Sequence, residues 1–417
     1  MTLMALCCLT LGRQLGLPLL LEHDFMSERH YKLTQLAAEL AADFATRTTE
    51  HDRANSFPTE NVDRMKETGY TALVIPEAHG GLGADLEDYV LCQEQLAQGC
   101  AATAIAINMH LFGLGSMVER ATGRPEEKLF FDAIGRAKQI MGGGISEPET
   151  GGDWGFFATT ARRDGDHYVL NGRKTFTSLS PVIDLFMVMA TIADTAPPLS
   201  STFVIPRGTP GLELVETWDA MGMRATASHD LLIKDVRVPA IAMAESRPVG
   251  PINDQAISLF AWFSLSVAAI YTGVAIAAFK FAREFAGRFK PLTLPRPIKY
   301  LPGIQFAAAE AEALIGASRA LYLSTVRDYL ADKASFKGEA GLARVVMAKY
   351  VATNNAIRAV DLCMEIVGAH GMLRKFPMER YYRDVRAGVN HPLSNARARE
   401  LIGKTALDIS LGELPRW

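Results

Sequence analysis

Cysteine is scarce in this chain, and no two cysteines have the spacing of a metal or redox motif. The 417 residues include five cysteines, with no Cys-x-x-Cys pair and no metal-type spacing to histidine. An odd number without such patterns argues against a disulfide framework and against a zinc site. We therefore expect no metal, and a reducing cytoplasm is the simplest location.

An excess of charge of either sign is also missing. The chain carries 43 lysines and arginines against 46 aspartates and glutamates, which gives a formal net charge of −3. Such a balance creates no global basic field for a polyanion. Nucleic-acid binding is therefore not expected.

The start of the chain lacks an uninterrupted apolar run. Residues 1–21 are rich in leucine, but Arg13 interrupts them and no basic segment precedes them. A signal peptide needs a positive start and an unbroken apolar core, and a membrane span needs about 20 apolar residues. We expect neither, and we interpret residues 1–25 as an N-terminal extension because the helical pattern begins near Met26.

The rest of the chain is rich enough in apolar residues to form a large core of two or three domains, since 49% of its residues are hydrophobic. Helical spacing predicts an N-terminal helical domain over 26–138. Short β-rich runs beside Asp-Gly and Asn-Gly dipeptides predict a middle β-domain over 139–246. Helical spacing returns over 247–417, where residues 346–367 indicate one long helix and the proline-rich segment 290–302 a connector.

One loop, residues 142–153, concentrates glycine with hydroxyl and carboxylate side chains in the run GGGISEPETGGD. Glycines allow close backbone approach to a ligand, and successive N–H groups in tight turns suit a pyrophosphate or a carbonyl oxygen. Glycine and proline clusters more often mark plain surface loops. The loop alone therefore leaves both interpretations open.

Further motifs accompany this loop in a fixed order. They are IPEAHGGLG at 75–83, LNGRKTFTS at 170–178, MGMRAT at 221–226, KDVRVP at 234–239, and GAHG at 368–371 with Arg383-Asp384. From about Met26 to the C-terminus, this series resembles the acyl-CoA dehydrogenase superfamily of flavoproteins. The resemblance implies an α+β fold with N-terminal helices, a middle β-barrel-like domain and a C-terminal four-helix bundle. It also implies FAD, with FMN as the alternative, and a homodimer or homotetramer.

The resemblance further implies which residues contact the flavin. The Ser178 hydroxyl is expected to face flavin N5, where a donor stabilises the anion formed on hydride transfer. Phe176 replaces the tryptophan common in the family, and Leu294 stands where an arginine is usual, so that Arg283, Arg288 or Arg296 would have to substitute. The expected cofactor contacts are Ile145, Ser146, Gly151, Gly152, Phe176, Thr177, Ser178, Gln305, Ile366, Gly368 and Ala369. Of these, Gln305 and the Gly368 turn are expected to meet the cofactor of a neighbouring subunit.

The glutamate that serves as base in the family is missing. Pro392 occupies the usual position, and Phe263-Ser264 occupies the alternative one. His391 precedes Pro392, and an imidazole suits proton transfer near neutral pH. His110, on the helix that aligns with the acyl pocket, is a second catalytic candidate, and a structural role is the alternative for both histidines.

Three functions are compatible with these residues. The first is α,β-dehydrogenation of an acyl thioester, acyl-CoA by the resemblance, with an electron-transfer flavoprotein as acceptor and His391 or an unrecognised carboxylate as base. The second is a two-component monooxygenase like dibenzothiophene monooxygenase, which uses oxygen and reduced flavin from a flavin reductase, with Ser178 and His391 at the reacting centre. The third is a flavin-binding scaffold without activity.

Overall fold

The computed structural model describes residues 28–150, 157–249 and 254–413, which form helices, then a sheet, then helices again. The helices of the first part are α1 Glu28–Ala45, α2 Thr48–Ala54, α3 Thr59–Thr68, α4 Leu86–Gly99, α5 Ala101–Glu119 and α6 Pro125–Gly135. Helix α1 buries Leu33, Leu40 and Phe44 along one face, as the helical spacing of its apolar residues dictates. Helix α4 begins at a reciprocal cap, in which the Asp85 carboxylate accepts the Asp88 N–H and the Asp88 carboxylate accepts the Asp85 N–H.

The middle part is one sheet in which most neighbouring strands are antiparallel. Its strands are β1 Met141–Gly144, β2 Thr160–Asp164, β3 His167–Thr177, β4 Leu185–Ile192, β5 Leu199–Pro206, β6 Leu212–Val215, β7 His229–Pro239 and β8 Met243–Pro248. The order across the sheet is β6-β7-β3-β2-β4-β5-β8, and β1 pairs with β4 in parallel. Every second residue of β4 is buried, which is the period expected of a strand with one face on the core.

The last part is a helical bundle. Its helices are α7 Asp254–Arg288, α8 Pro302–Ala331, α9 Gly338–Val367, α10 Met378–Asp384 and α11 Asn395–Ala406. Helix α9 packs against α7, α8 and α11, and α7 also packs against α4 and α5 of the first part. The predicted helix–sheet–helix order and the predicted long helix over 346–367 are confirmed.

Within the described parts of the chain, two helices are long and apolar enough to cross a membrane by length and composition. They are Ala101–Glu119 within α5 and Ala256–Arg288 within α7, and 78% and 94% of their most apolar windows are buried inside the protein. Helices that are apolar on all sides and covered by neighbouring elements are typical of the core of a large globular domain. Both helices therefore act as core helices in this fold.

Candidate flavin site

Two glycines of strand β1, Gly142 and Gly144, leave room for the side chains that pack against the strand. A Cβ atom at Gly144 would lie 2.6 Å from Cγ of Lys174, and one at Gly142 would collide with Ile183. These two glycines therefore serve internal packing, which differs from the close approach to a ligand that the sequence suggested. Gly151 and Gly152, the other glycines expected at the cofactor, lie outside the described residues.

A buried ion pair fixes the loop after β1. The Lys174 ammonium donates to Oε1 of Glu147 at 2.6 Å, and neither side chain is exposed to solvent. Glu147 also accepts the backbone N–H groups of Ala158 and Thr159, at 2.6 and 2.8 Å. Burial lowers the pKa of Lys174 to about 8, and although burial acts to raise the pKa of Glu147, its hydrogen bonds from Lys174 and Thr159 hold it below its usual value. The carboxylate thus ties the loop that carries Ser146 to strand β3.

The two expected flavin segments lie side by side. The N–H of Thr175 donates to the carbonyl oxygen of Ser146 at 2.8 Å, which places Ile145 and Ser146 beside the end of β3. The ladder between β3 and β7 is irregular between Lys174 and Thr177, and Phe176 adopts a positive φ of 56°. Such a bulge turns side chains away from the normal alternation of a strand.

The bulge leaves one aromatic ring exposed and one buried hydroxyl oxygen without a hydrogen-bond partner. The Phe176 side chain is 62% exposed although it is a large apolar ring, and its edge meets Trp218 with centroids 6.0 Å apart. Oγ1 of Thr177 is buried and has no hydrogen-bond partner among the described residues. A buried polar atom without a partner is costly unless a ligand or water completes it.

Ser178 belongs to a row of three hydroxyl groups. Its Oγ lies 2.8 Å from Oγ of Ser228, which lies 2.7 Å from Oγ1 of Thr226. Each hydroxyl can donate one hydrogen bond and accept others. If Thr226 donates to Ser228 and Ser228 donates to Ser178, the Ser178 hydrogen remains available to a ligand. Together with the orphaned Thr177 oxygen and the exposed Phe176 ring, this arrangement fits an isoalloxazine.

The third expected segment lies at the end of α9. Ile366 is buried, whereas Gly368 and Ala369 are exposed, and Gly368 has a positive φ of 64°. Gln305, near the start of α8, is also exposed and donates to the carbonyl oxygen of Lys299 at 3.2 Å. No described hydrogen bond joins these residues to Ser146 or Ser178. The structure of one chain thus brings together the first two flavin segments and leaves the third on the outer surface.

His391 lies in an aromatic cluster of the bundle. Its Nε2 is 2.7 Å from the hydroxyl of Tyr271, and its ring meets Phe263 edge-on at a centroid distance of 6.4 Å. Burial, with a smaller contribution from the Lys349 ammonium, lowers the pKa of His391 to about 3. The imidazole is therefore neutral at pH 7.

The loop that carries His391 is held by a buried amine. Lys349 is 1% exposed, and its ammonium donates to the carbonyl oxygens of His391 and Leu393 at 2.6 and 2.7 Å. Burial lowers the pKa of Lys349 to about 7. None of the hydrogen bonds described for the side chains of His391, Tyr271 and Lys349 involves a carboxylate, so the cluster shows no replacement for the missing glutamate.

His110 has a different environment from the one expected of a catalytic residue. It is fully buried on α5, with Nε2 2.8 Å from the carbonyl oxygen of Thr71, and its Nδ1 accepts the Met141 N–H at 3.0 Å. Burial lowers the pKa of His110 to about 4. Both ring nitrogens are occupied by backbone groups, so the catalytic role expected for His110 is not retained.

Sequence reasoning missed Tyr271, Lys349 and the pair of Glu147 with Lys174. The sequence contains one indication of the role of Lys174. It lies on the same buried face of β3 as Tyr168 and Leu170, where an unpaired lysine would be energetically very unfavourable. Lys349 left a similar signal within the apolar face of α9. Neither signal identifies the partner, which lies far away in the sequence.

The fold and this site define a flavin-dependent oxidoreductase. Models of the N-terminal, middle and C-terminal domains of acyl-CoA dehydrogenases match residues 27–128, 142–236 and 265–396. The chain is 36% identical over 365 residues to the putative acyl-CoA dehydrogenase YdbM of Bacillus subtilis. This alignment covers 85% of this chain and 91% of that protein. It is 30% identical over 371 residues to the 3-(aryl)acrylate reductase of Clostridium sporogenes, covering 87% and 94%.

Among solved structures, KijD3 in complex with FMN and a dTDP-linked amino sugar is similar with a TM-score of 0.84 and 27% identity. That match covers 94% of this chain and 97% of KijD3. These similarities show that the chain belongs to the acyl-CoA dehydrogenase family. The family uses FAD, and FMN in KijD3 shows that the fold also accepts the shorter flavin.

Proposed function

We propose that this enzyme catalyses α,β-dehydrogenation of an acyl thioester with FAD. The observation that supports this function most strongly is the flavin segment itself, in which Ser146 is braced beside the exposed Phe176 and the hydroxyl of Ser178. FAD, when bound, supplies a hydride acceptor. YdbM, the relative with 36% identity, bears the name of a putative acyl-CoA dehydrogenase.

Each residue of the segment has a distinct part in this reaction. The exposed ring of Phe176 offers an apolar face to a flavin, and the unpartnered Thr177 oxygen and the Ser178 hydroxyl offer hydrogen bonds along its edge. A preorganised donor beside an atom that gains charge lowers the barrier, because it needs no reorganisation during the reaction. The Glu147–Lys174 pair keeps the loop in place while the ligands exchange.

Dehydrogenation removes a hydride from the β-carbon, for which FAD would be the acceptor, and a proton from the α-carbon, which a base must take up, and a double bond forms between the two carbons. His391 is the titratable side chain beside Pro392 and Phe263, which occupy the family's base positions. Its neutral imidazole can form one hydrogen bond with a substrate. Whether it accepts or donates depends on which ring nitrogen carries the hydrogen.

A second candidate is oxygenation of a substrate by reduced flavin and oxygen. The observation that favours it is the absence of a carboxylate from the described hydrogen bonds of His391, Tyr271 and Lys349. The likeness at 27% identity to KijD3, whose complex contains FMN and a sugar nucleotide instead of a thioester, is compatible with it.

One experiment separates the two candidates. The FAD-loaded enzyme is mixed without oxygen with saturated acyl-CoA thioesters of increasing chain length, and flavin absorbance is followed. Bleaching by a thioester, with formation of the enoyl product, supports dehydrogenation. If no thioester bleaches the flavin, but a flavin reductase with NAD(P)H makes the enzyme consume oxygen and hydroxylate an added substrate, dehydrogenation is excluded and oxygenation stands.

The surface supports a homodimer or homotetramer. Two exposed apolar residues lie close in sequence to the residues expected to meet a neighbouring subunit: Phe306, which follows Gln305, is 73% exposed, and Met372, which ends the turn that begins at Gly368, is 72% exposed. A partner subunit that covered these residues would complete the cofactor site. We further propose an electron-transfer flavoprotein as the redox partner for dehydrogenation, a flavin reductase for oxygenation, and a cytoplasmic location on the basis of the cysteine usage.

A further inference from the structure

The hydroxyl of Tyr271 and Nε2 of His391 form one hydrogen bond, and only one of the two atoms can supply its hydrogen. Tyr271 is fully buried on α7, and its hydroxyl oxygen lies 2.7 Å from Nε2. Burial, and to a smaller extent the nearby Asp384, raises the pKa of Tyr271 well above its ordinary value. The phenol is therefore protonated at pH 7, and its hydrogen needs an acceptor.

Among the described hydrogen bonds, the acceptor for Tyr271 is Nε2 of His391. If Nε2 carried the imidazole hydrogen instead, it would donate to the phenol oxygen. The phenol hydrogen would then be buried without a described acceptor, which is energetically unfavourable. The favoured state therefore has a bare Nε2, and the single hydrogen of the neutral imidazole lies on Nδ1.

The surroundings of His391 keep the ring in this neutral state. The Lys349 ammonium, which donates to the carbonyl oxygens of His391 and Leu393, opposes a second positive charge on the imidazole. The side chain of His391 is half-buried, and its Nδ1 has no hydrogen-bond partner among the described residues. Nδ1–H is thus the polar group with which His391 can meet a ligand.

We infer that Tyr271 is a positioning residue that holds His391 as the Nδ1–H tautomer, so that His391 meets its substrate as a hydrogen-bond donor to an oxygen atom. In the proposed dehydrogenation that oxygen is the thioester carbonyl, where negative charge develops as the α-proton passes to a carboxylate base, the alternative to His391. The identity of the oxygen rests on the proposed function, whereas the tautomer does not. A donor role also differs from the proton-acceptor role that the sequence suggested for His391.

The tautomer can be read directly by NMR of the FAD-loaded enzyme labelled with 15N at histidine. A nitrogen that carries hydrogen and one that does not have widely separated 15N shifts, and His391→Asn assigns the signals. At pH 7 we expect a protonated Nδ1 and a bare Nε2 for His391. His110 provides an internal reference of the opposite kind, because its Nδ1 accepts the Met141 N–H and its Nε2 faces the Thr71 carbonyl.

Tyr271→Phe removes the hydroxyl and should move the hydrogen of His391 partly or wholly to Nε2. A wild-type spectrum with a protonated Nε2 and bare Nδ1 overturns the inference, and so does a Tyr271→Phe spectrum identical to that of the wild type. The wild-type spectrum alone decides the question if the variant does not fold. Neither readout depends on turnover, so the inference and the proposed function can fail separately.

Kinetics give the second readout. If His391 donates through Nδ1, Tyr271→Phe should lower kcat with acyl-CoA on the order of tenfold, with KM changed much less. If His391 is instead the proton acceptor, loss of the phenol allows the imidazole hydrogen to move to Nε2. Nδ1 is then free to accept a proton, and kcat should stay unchanged or rise. Tyr322→Phe is the matched control, because Tyr322 is an equally buried tyrosine whose hydroxyl bonds the Glu94 carboxylate and has no described contact with His391.

Discussion

Arg383 and Asp52 form a two-point ion pair between the C-terminal bundle and the N-terminal helices. Nη1 lies 3.0 Å from Oδ1, and Nη2 lies 2.6 Å from Oδ2. Nη1 also donates to the carbonyl oxygen of Met221, in the loop that follows the sheet strand β6, at 3.0 Å. The neighbouring Asp384 accepts the Met223 N–H at 2.6 Å. All three parts of the fold therefore meet at this pair.

Arg383→Gln should weaken this junction. Removal of one partner from a largely buried ion pair leaves the other charge uncompensated, and we expect a loss of about 3 kcal/mol in the free energy of unfolding. Urea unfolding measures this loss. Arg237→Gln is the control, since its pair with Asp164 is about half-exposed at 3.6 Å and should contribute less than about 1 kcal/mol. Equal losses in the two variants would contradict the role given to Arg383.

Lys174→Met should disturb both stability and flavin binding. The change leaves the Glu147 carboxylate buried without its cation, at a cost of about 3–5 kcal/mol. FAD affinity should fall as well, because the loop of Ser146 loses its tie to β3. Adding Glu147→Gln to Lys174→Met should recover part of both losses, and a double-mutant cycle measures the recovery. Strictly additive losses would show that the two side chains act independently.

Ser178→Ala should slow flavin reduction on the order of tenfold or more, because it removes a preorganised donor from the hydroxyl row. Stopped-flow absorbance under anaerobic conditions measures the rate. The melting temperature should change little, since Ser178 is only half-buried. Ser201→Ala is the matched control, because it breaks a similar hydroxyl pair with Ser246 on the far strands of the sheet, at 2.7 Å. Reduction at the wild-type rate in Ser178→Ala would remove Ser178 from the flavin site.

His110→Gln should make the enzyme more resistant to acid. The pKa of His110 is lowered to about 4 in the fold, so between pH 6.5 and 4 the unfolded chain binds a proton that the folded chain does not. Stability from neutral His110 is thus complete above pH 6.5 and falls as the pH falls to 4, by about 3 kcal/mol in total.

Glutamine can keep both backbone hydrogen bonds of His110 but does not titrate. The difference in unfolding free energy between wild type and His110→Gln should therefore shift in favour of the variant as the pH falls from 6.5 to 4, and stay constant between pH 7.5 and 8.5. Chemical unfolding at several pH values gives this difference. A difference that does not change with pH would show that His110 is not a buried neutral imidazole.

The order of the domains and the first two flavin segments could be predicted from the sequence because they depend on local patterns. Alternation along β4 and helical spacing in α9 are each contained in one run of residues. The Ser146 loop and the Phe176–Ser178 run were recognisable as short motifs. Their contact through Thr175 N–H follows from the pairing of adjacent parts of one sheet.

The rest of the site depends on contacts between residues distant in the sequence. Tyr271 and His391 are 120 positions apart, and only the packing of α7 against the loop before α11 brings them together. His110 looked like a cavity residue because its helix aligns with an acyl pocket. The His110 side chain points toward Thr71 and Met141 because α5 packs against β1 in this orientation. The spacing of apolar residues along α5 does not predict that orientation.

A crystal structure of the enzyme loaded with FAD tests the central claim most directly. The account predicts the isoalloxazine against the exposed Phe176 ring, with the Ser178 hydroxyl within hydrogen-bond distance of N5 and a hydrogen bond to the now unpartnered Thr177 oxygen or to the Ser146 loop. A flavin bound elsewhere in the fold, or crystals and solutions that take up neither FAD nor FMN at saturating concentration, would contradict it.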